Sequence, residues 1–368
     1  MGLRACAVED MVKHGWQGVR VFLTGHTGFK GGWLALWLTG KGAVVRGYSL
    51  DPSTSPSLFE AARVGEAVED VRGDIRDRDT LDRSMREFAP ELVFHLAAQP
   101  LVRASYADPV GTYSTNVLGT AHILESARSI PSVRAIVAIT SDKCYENQEW
   151  DRGYRESDRL GGYDPYSSSK ACAEIVCAAY RSSFLHSPER AGAMLATARS
   201  GNVIGGGDWS RDRLIPDLIR GFLASESVLI RRPNAVRPWQ HVLEPLAGYI
   251  ALAEHLLSDD PARYATAFNF GPSDDDAQEV GWIVEKMVKF WGDNASWTLD
   301  ADPGVHEAGY LKLDASRARA ELAWHPRLRL ETTLHWLVDW YKAWQSGEDM
   351  HAFTLKQIDA YEKLGPIS

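Results

Sequence analysis

Cysteine and paired histidines are scarce in this sequence, which excludes several kinds of site. The 368 residues include four cysteines, Cys6, Cys144, Cys172 and Cys177, and no two of them form a C-x-x-C pair. The eleven histidines form no H-x-x-x-H pair either. A structural zinc or other metal site is therefore not expected. So few cysteines in so long a chain also indicate a reducing compartment, the cytoplasm.

An excess of positive charge and long apolar runs are absent as well. The chain has 40 Lys and Arg against 49 Asp and Glu, a formal net charge of -9. Nucleic acid requires a basic surface, so we expect no such partner. No apolar run approaches the ~20 residues of a membrane span. Residues 1–18 contain acids and lack the apolar core of a signal peptide. We therefore expect no membrane partner.

Strand-like and helix-like segments alternate over the first half of the chain. This repetition predicts a doubly wound parallel sheet of the Rossmann type, with helices on both faces. The predicted strands are Val19–Thr24, Val44–Ser49, Val68–Arg72, Leu92–Leu96, Ala135–Thr140 and Ala193–Arg199. The predicted helices are Gly31–Gly40, Asp79–Phe88 (capped by Asp79), Thr112–Ser129 and Tyr166–Phe184.

After Ser200 the alternation breaks, because glycine and proline interrupt the chain. The predicted strands are Val228–Ile230 and Ala267–Phe270, and the predicted helices are Pro245–Leu257, Val280–Trp291 and Thr332–Trp344. The last ~20 residues are predicted to form a peripheral helix. We divide the chain into a dinucleotide-binding part, residues 1–200, and a smaller α/β part, residues 201–368, that binds the substrate.

A glycine-rich turn follows the first predicted strand. In TGHTGFKGGWL, residues Gly25, Gly28 and Gly31 permit a tight turn and a close approach of the backbone to a pyrophosphate. The following helix N-terminus supplies free N–H groups and a partial positive charge. The position of this turn between a strand and a helix predicts a dinucleotide site. Its candidate residues are Gly25, Thr27, Gly28, Phe29, Lys30 and Gly31.

The ends of the next strands supply further candidate cofactor contacts. An acid commonly holds the adenosine ribose at the end of the second strand, but Ser49 stands there and Asp51 lies two residues later. The choice between NAD and NADP therefore stays open on the residues alone. After the third strand, Asp74 is predicted to accept from the adenine amino group and Ile75 to pack on the ring. The remaining candidates follow the fourth and fifth strands and are Ala97, Ala98, Gln99 and Thr140.

Tyr166 and Lys170 form a Y-x-x-x-K pair, whose helical spacing puts both side chains on one face. An ammonium near a phenol lowers its pKa, because the positive charge favours phenolate. We therefore expect Tyr166 to accept a proton from an alcohol while hydride leaves for a nicotinamide. The alternative is a surface helix pair without chemistry.

Together these motifs resemble the extended short-chain dehydrogenases and, within them, the sugar-nucleotide 4,6-dehydratases. The resemblance runs from about Val19 to Trp344. It is carried by HTGFKG, SDKCY, GGYDPYSSSK, SGNVIGGGDW and RPWQHVLEP, which begin at His26, Ser141, Gly161, Ser200 and Arg237. It implies NAD as cofactor and a nucleotide sugar, CDP-glucose, as substrate.

The resemblance also implies roles for single residues. Tyr166 and Lys170 act in hydride transfer, Ser141 hydrogen-bonds the oxidised hydroxyl, and Asp142 is the acid that helps water leave. The implied substrate contacts are Asn202, Arg237, Gln240 and Tyr310, with Arg237 on the diphosphate. Many relatives have a second phosphate-binding arginine where this chain reads DPGVHEAG, and His306 or Tyr310 is the candidate to replace it. Core packing is the alternative for Trp209 and Trp239, and the preferred interpretation for Trp336, Trp340 and Trp344.

Lys143 departs from the pattern, because most relatives carry a glutamate at this position that removes the C5 proton. Three interpretations stay open. Lys143 is a neutral base beside a protonated Asp142, or an ammonium that stabilises the enolate, or a structural ion-pair partner of Asp142.

The implied reaction is oxidation at C4, loss of water across C5 and C6, and return of the hydride to C6, as part of deoxy-sugar biosynthesis. The rival functions are a dehydratase for another nucleotide sugar, a 4-epimerase and a non-catalytic NAD-binding protein. An epimerase needs no acid and base for elimination, so Asp142 and Lys143 argue against it. Helices Thr112–Ser129 and Tyr166–Phe184 are predicted to pair across a two-fold axis in a homodimer or a dimer of dimers.

Overall fold

The computed structural model describes residues 15–185, 192–292, 295–300 and 311–367. Strands and helices alternate over the first half of the chain, as the sequence predicts. The strands are β1 Arg20–Thr24, β2 Val44–Ser49, β3 Glu69–Arg72, β4 Leu92–His95, β5 Ala135–Ile139 and β6 Met194–Ser200. The helices are α1 Phe29–Gly40, α2 Leu58–Ala61, α3 Val64–Ala67, α4 Arg78–Phe88, α5 Val102–Ala107, α6 Pro109–Tyr113, α7 Gly119–Arg128 and α8 Pro165–Tyr180.

The second half has shorter strands between its helices. The strands are β7 Val203–Ile204, β8 Ser227–Ile230, β9 Val236–Pro238, β10 Gln240–His241, β11 Ala267–Phe270, β12 Ala277–Glu279 and β13 Ser296–Leu299. The helices are α9 Leu214–Ala224, α10 Leu243–Leu256, α11 Val280–Trp291, α12 Ser316–Leu322, α13 Leu330–Gln345 and α14 Met350–Glu362. None of the helices in the described ranges is long and apolar enough to cross a membrane.

Seven strands form the central sheet in the order β11-β6-β5-β4-β1-β2-β3. All its neighbouring strands are parallel, so the predicted Rossmann-type sheet is confirmed. The strand order reverses between β1 and β4, where ligands bind in folds of this kind. The edge strand β11 comes from the second half of the chain. Pairs of short strands, β7 with β10, β9 with β12 and β8 with β13, lie outside the central sheet.

Helices cover both faces of the sheet, which is why its strands read as continuous apolar runs. All five residues of β5 are buried. The buried apolar side chains include a larger and a smaller hydrophobic core. Val21 and Leu23 of β1 lie in the larger core, and Phe22 between them lies in the smaller core. Trp209, Trp239 and Trp340 are buried in the larger core, and Trp336 and Trp344 pack against it. All five tryptophans therefore serve core packing.

The structure corrects three local predictions. Asp77, not Asp79, caps α4, because its side chain accepts the Thr80 N–H. The helix predicted over Thr112–Ser129 already begins at Pro109 and is interrupted by a π-helical turn, Ser114–Leu118. The C-terminal helix α14 is not peripheral, since Tyr361 is fully buried and its hydroxyl donates to Glu244 at 2.9 Å.

Candidate active site

The turn after β1 is too tightly packed for any side chain at two of its glycines. Gly25 has φ +82°, and a Cβ there would lie 2.8 Å from the Ala97 nitrogen. A Cβ at Gly31 would lie 2.0 Å from the Gly25 carbonyl oxygen. The turn therefore brings β1, the strand end at Ala97 and the start of α1 together. Gly28 caps α1 without a side-chain hydrogen bond, so first-turn N–H groups stay available to a phosphate. This cradle fits the pyrophosphate of a dinucleotide.

Several residues at the strand ends predicted to hold the adenosine end of the cofactor already form hydrogen bonds or ion pairs within the protein. Thr27 Oγ1 lies 2.8 Å from Ser49 Oγ and donates to the Leu50 carbonyl at 2.9 Å. Asp51 is exposed and pairs with Arg72. The Arg76 hydrogen bond lowers the pKa of Asp74, so this carboxylate is ionised and already paired. Ile75 is buried against Gly119.

The small residues after β4 lie beside the glycine turn. Thr24 Oγ1 accepts the Ala97 N–H at 3.1 Å, and Ala98 follows in the same half-buried segment. The Gln99 side chain is engaged internally, because its Nε2 donates to Thr112 and its Oε1 accepts the Leu101 N–H. At the end of β5, Thr140 Oγ1 donates to Glu174.

Lys30 extends from the start of α1, where Phe29 precedes it, to the end of β6. Its Nζ donates to Ser200 Oγ at 2.8 Å and to the Tyr249 hydroxyl at 3.3 Å. Burial, followed by repulsion from Lys170, lowers the pKa of Lys30 to about 7. The predicted cofactor turn and the predicted catalytic helix therefore meet at one place.

The SDKCY segment forms a 3-10 turn, Asp142–Cys144, at the end of β5. Ser141 caps this turn by accepting the Lys143 N–H at 3.2 Å, and its hydroxyl donates to Asp142 Oδ1 at 2.9 Å. Asp142 is only 2% exposed, and its Oδ2 has no hydrogen-bond partner among the described residues. Burial raises the pKa of Asp142, although the nearby charge of Lys143 opposes this. The segment thus presents a buried carboxyl group that favours its protonated form.

Helix α8 places Tyr166 and Lys170 against this turn. Asp164 caps the helix by accepting the Ser167 N–H, and Pro165 occupies its first position. Lys170 Nζ donates to the Ile139 carbonyl at 3.4 Å, and burial lowers its pKa to about 8. The expectation for the Tyr166 phenol was wrong for the protein without ligands. Burial outweighs the hydrogen bond to Ser141 and raises the Tyr166 pKa to about 12.

The predicted substrate residues come from three neighbouring segments. Asn202 lies between β6 and β7, where its carbonyl accepts the Gln240 N–H at 3.0 Å. Gln240 is buried, and its Nε2 donates to the Phe270 carbonyl at 2.9 Å. Arg237 lies on β9, close enough for its charge to lower the pKa of Asp142. Tyr310 and His306 lie outside the described residues.

Comparisons with known proteins agree with this geometry. Residues 22–336 match the family model described as GDP-mannose 4,6 dehydratase. The chain is 56% identical over 351 residues to a curated CDP-glucose 4,6-dehydratase of Salmonella typhimurium, covering 95% of this chain and 98% of that one. The chain belongs to the GDP-mannose 4,6 dehydratase family.

Solved structures share the fold of this family member. A dTDP-glucose 4,6-dehydratase of Streptomyces venezuelae, solved with NAD bound, gives a TM-score of 0.74 at 23% identity, over 90% of this chain and 99% of that one. A UDP-glucose 4-epimerase of Thermus thermophilus in complex with NAD gives a TM-score of 0.75 at 23% identity, over 88% and 99% of the two chains.

The structure adds residues to the site of this family member that sequence reasoning did not single out. Arg213 pairs with Asp208 at 2.9 Å, and its charge acts to lower the pKa values of Lys30 and Tyr166. No motif in the sequence marks it. Glu174 lies behind Lys170 and could have been found by extending Y-x-x-x-K by one helical turn. No group of three potential metal ligands occurs within the described ranges.

A cavity of about 540 Å³ lies outside the candidate site of this family member. Its lining includes Arg152, Arg155, Arg319 and Arg329. None of the described site residues lines it, so its volume gives no information about the site.

Proposed function

We propose that the protein is an NAD-dependent CDP-glucose 4,6-dehydratase that converts CDP-glucose to CDP-4-keto-6-deoxyglucose. The observation that carries the proposal is the buried Asp142 carboxyl group beside the Ser141 and Tyr166 hydroxyls. Oxidation and reduction at C4 need only Ser141, Tyr166 and Lys170. An additional buried acid is useful when a hydroxyl must leave as water. The 56% identity to a curated enzyme of this name supports the same conclusion.

The residues that would hold NAD are those of the glycine turn, with the N-terminus of α1 at the pyrophosphate and Lys170 near the nicotinamide end. When bound, NAD supplies the acceptor for the C4 hydride and the donor that returns it to C6. Because the hydride returns, no cofactor is consumed. Asp74 and Ile75 are proposed for the adenine end.

Tyr166 accepts the proton of the C4 hydroxyl, and Ser141 hydrogen-bonds the same oxygen. A phenol with a pKa of about 12 is protonated at neutral pH, so its pKa must fall when the complex forms. Ser141 and Arg213 already act in that direction. Lys170 contributes a positive charge from the next turn of the same helix face.

Asp142 and Lys143 carry the elimination. A protonated Asp142 donates to the leaving C6 hydroxyl. Lys143 either removes the C5 proton as a neutral amine, or stabilises the enolate as an ammonium while another group accepts that proton. The third interpretation, a structural ion pair, is less favoured, because Asp142 Oδ2 has no hydrogen-bond partner among the described residues. The Lys143 charge nevertheless acts on Asp142 and opposes the rise of its pKa.

The nucleotide diphosphate is assigned to Arg237, with Asn202 and Gln240 on the sugar side.

We also propose where the enzyme works and which pathway uses its product. The enzyme works in the cytoplasm, and its product feeds the deoxy sugars of a lipopolysaccharide O-antigen. The described cysteines Cys144, Cys172 and Cys177 are free thiols, which suits a reducing compartment.

A homodimer, or a dimer of such dimers, is proposed through the surface of α6, α7 and α8. Val110, Leu118 and Ile175 are exposed apolar side chains on this surface. No Asp, Glu, Lys or Arg occurs between Pro109 and Leu124, and the two charged residues of α8, Lys170 and Glu174, are both buried. A wide uncharged surface of this kind fits a second copy of itself.

The decisive experiment is incubation with NAD and, separately, CDP-, dTDP-, UDP- and GDP-linked sugars, with products followed by mass. Loss of one water from CDP-glucose, faster than from the other sugars, is expected. A 4-epimerase would leave the mass unchanged and a binding protein would leave the substrate unchanged. Either result would contradict the proposal.

A further inference from the structure

One buried carboxylate, Glu174, takes no part in the steps above. It lies four residues after Lys170 on α8, so it shares the same face one turn further on, and it is only 3% exposed. Its oxygens accept hydrogen bonds from the Thr140 hydroxyl, from the Thr197 hydroxyl at 2.8 Å and from Arg199 Nη2 at 2.7 Å. Glu174 therefore ties the helix of Tyr166 and Lys170 to the ends of β5 and β6.

The same network reaches the turn that carries Asp142 and Lys143. Arg199 Nη1 donates to the Tyr145 hydroxyl at 2.8 Å, which donates to Asn269 Oδ1 at 2.7 Å. Tyr145 directly follows the 3-10 turn, and Asn269 lies on β11. The elements on which the redox and elimination residues lie are thus joined behind the site by one chain of hydrogen bonds.

Packing alone does not explain an ion pair at this position. Replacing a buried pair such as Glu174 and Arg199 by apolar residues of similar volume is often neutral or stabilising, because burial removes both charges from water. The charge of Glu174 pairs directly with Arg199. It also acts on a second basic residue, Lys170, one turn earlier on the same helix face.

The other groups around Lys170 do not supply a negative charge. Burial lowers the pKa of His95 on β4 to about 3, so its imidazole is neutral. Burial raises the pKa of Cys177 to about 12 and that of Cys144 well above its usual value, so both are thiols. Lys30 supplies no negative charge either, because an amine is neutral or cationic and burial lowers its pKa to about 7. Burial alone would raise the pKa of Glu174, but Arg199 and the hydrogen bonds lower it, so Glu174 is ionised.

We infer that Glu174 is a positioning residue that holds Lys170 in its ammonium form and in place beside Tyr166. The inference rests on the proposed function, because that function assigns Lys170 to the nicotinamide cofactor. Burial lowers the pKa of Lys170 to about 8, and Glu174 is the main influence that raises it. Without the charge of Glu174, the ammonium is lost at a lower pH.

Titration calorimetry of NAD binding without sugar, between about pH 6 and pH 10, tests this inference. Affinity in the parent falls as pH rises through the Lys170 pKa, because the ammonium form binds the cofactor. In Glu174→Gln the fall moves about one pH unit lower, so binding becomes about fivefold weaker than the parent's near pH 8, about tenfold weaker above about pH 9, and stays nearly equal near pH 6. Weakening by one constant factor at every pH would show a purely structural role and overturn the inference.

Three matched variants complete the test. Thr197→Val removes one hydrogen bond to Glu174 and keeps its charge, so the pH of the transition should stay unchanged. In a Lys170→Met background, Glu174→Gln should add no further pH shift. If Glu174→Gln leaves Arg199 unpaired and does not fold, Glu174→Gln/Arg199→Met removes both charges and should shift the profile in the same direction by a smaller amount. An unshifted profile there overturns the inference. Failure of the parent to bind NAD at any pH would overturn the proposed function as well.

Discussion

At the residue scale, burial sets the protonation of the groups that carry the proposed chemistry. Asp142 is moved toward the neutral acid and Tyr166 toward the neutral phenol, while Lys30 and Lys170 are moved toward neutral amines. These directions share one cause, because a low-dielectric site disfavours every charged form. Substrate and cofactor bring charges into the same site, so the complex resets these equilibria.

Tyr166→Phe removes the proposed proton acceptor and keeps the ring. Turnover should fall about 10²- to 10⁴-fold, while affinity for CDP-glucose changes little. The substrate-dependent absorbance of reduced nicotinamide should disappear. Tyr180→Phe, on the same helix but hydrogen-bonded to Glu125, is the control and should behave like the parent. A Tyr166→Phe enzyme with a tenth of the parent activity would assign the base elsewhere.

Lys143→Ala separates oxidation from elimination. Substrate should still reduce the bound cofactor, but loss of water should stall, since C5 loses its base or the enolate its counter-charge. Reduced nicotinamide absorbance and the 4-keto sugar should accumulate, and exchange of the C5 hydrogen with deuterated solvent should slow. Asp142→Asn should leave that exchange intact and block only the departure of water. If Lys143→Ala eliminates water at the parent rate, Lys143 has no catalytic role.

The chemical identity of the site residues could be predicted from sequence, but their environment could not. Y-x-x-x-K lies in the first two turns of α8 and SDKCY follows the end of β5, where the sequence predicted these segments; the catalytic roles of Tyr166, Lys170 and Asp142 stay predictions. Arg213 and Glu174 were missed, because their roles depend on contacts between distant segments. The direction of the Tyr166 pKa was wrong because sequence spacing indicates a neighbouring charge and does not indicate depth of burial.

At the element scale, the bounds of a strand or helix could be predicted where a single apolar pattern marked them. Strand β2 and helix α11 lie where their apolar patterns predicted them. Asp79 was predicted to cap α4, but Asp77 does so, and the position of the cap depends on where the backbone enters the helix. The π-helical turn Ser114–Leu118 has no sequence signal of its own. The burial of α14 depends on its contacts with α1, with α13 and, through the Tyr361 hydroxyl, with α10.

That contact, between Glu244 on α10 and Tyr361 on α14, makes stability depend on pH. Burial raises the pKa of Glu244 from 4.5 to about 7. The folded state therefore binds more protons than the unfolded state between these values, and stability is lost as pH rises through this range. Glu244→Gln keeps acceptors for the Arg327 and Leu328 N–H groups and removes the titration.

Urea unfolding at about pH 5 and pH 8 measures this effect. The parent should lose up to about 3 kcal/mol more than Glu244→Gln between these values. Tyr361→Phe removes a hydrogen bond that lowers the Glu244 pKa, so its pH dependence should be steeper than the parent's. The same slope in parent and Glu244→Gln would show that another group causes it.

At the scale of the whole molecule, most exposed apolar residues need no explanation. Val110, Leu118 and Ile175, however, lie on α6, the π-helical turn and α8, which pack against one another. On α8 the outward positions are Ser168, Cys172, Ile175 and Ala179, without a charge among them. The charged residues of this helix, Lys170 and Glu174, are buried within the subunit, where Glu174 accepts the hydrogen bonds described above. The same helix thus directs its catalytic and positioning residues inward and an uncharged face outward. Assembly through this face would stiffen the helix that positions Tyr166 and Lys170.

Ile175→Glu tests that assembly. Ile175 is 57% exposed, so glutamate should be tolerated in the monomer, but a two-fold contact would bury two carboxylates opposite each other. The mass measured by light scattering after gel filtration should fall from that of a dimer or tetramer to that of a smaller species, with an unchanged circular dichroism spectrum. Leu229→Glu, at a position that is 63% exposed on β8, is the matched control and should keep the parent mass. If Ile175→Glu also keeps the parent mass, the subunits do not assemble through this face, and α8 is held in place by its contacts within one chain.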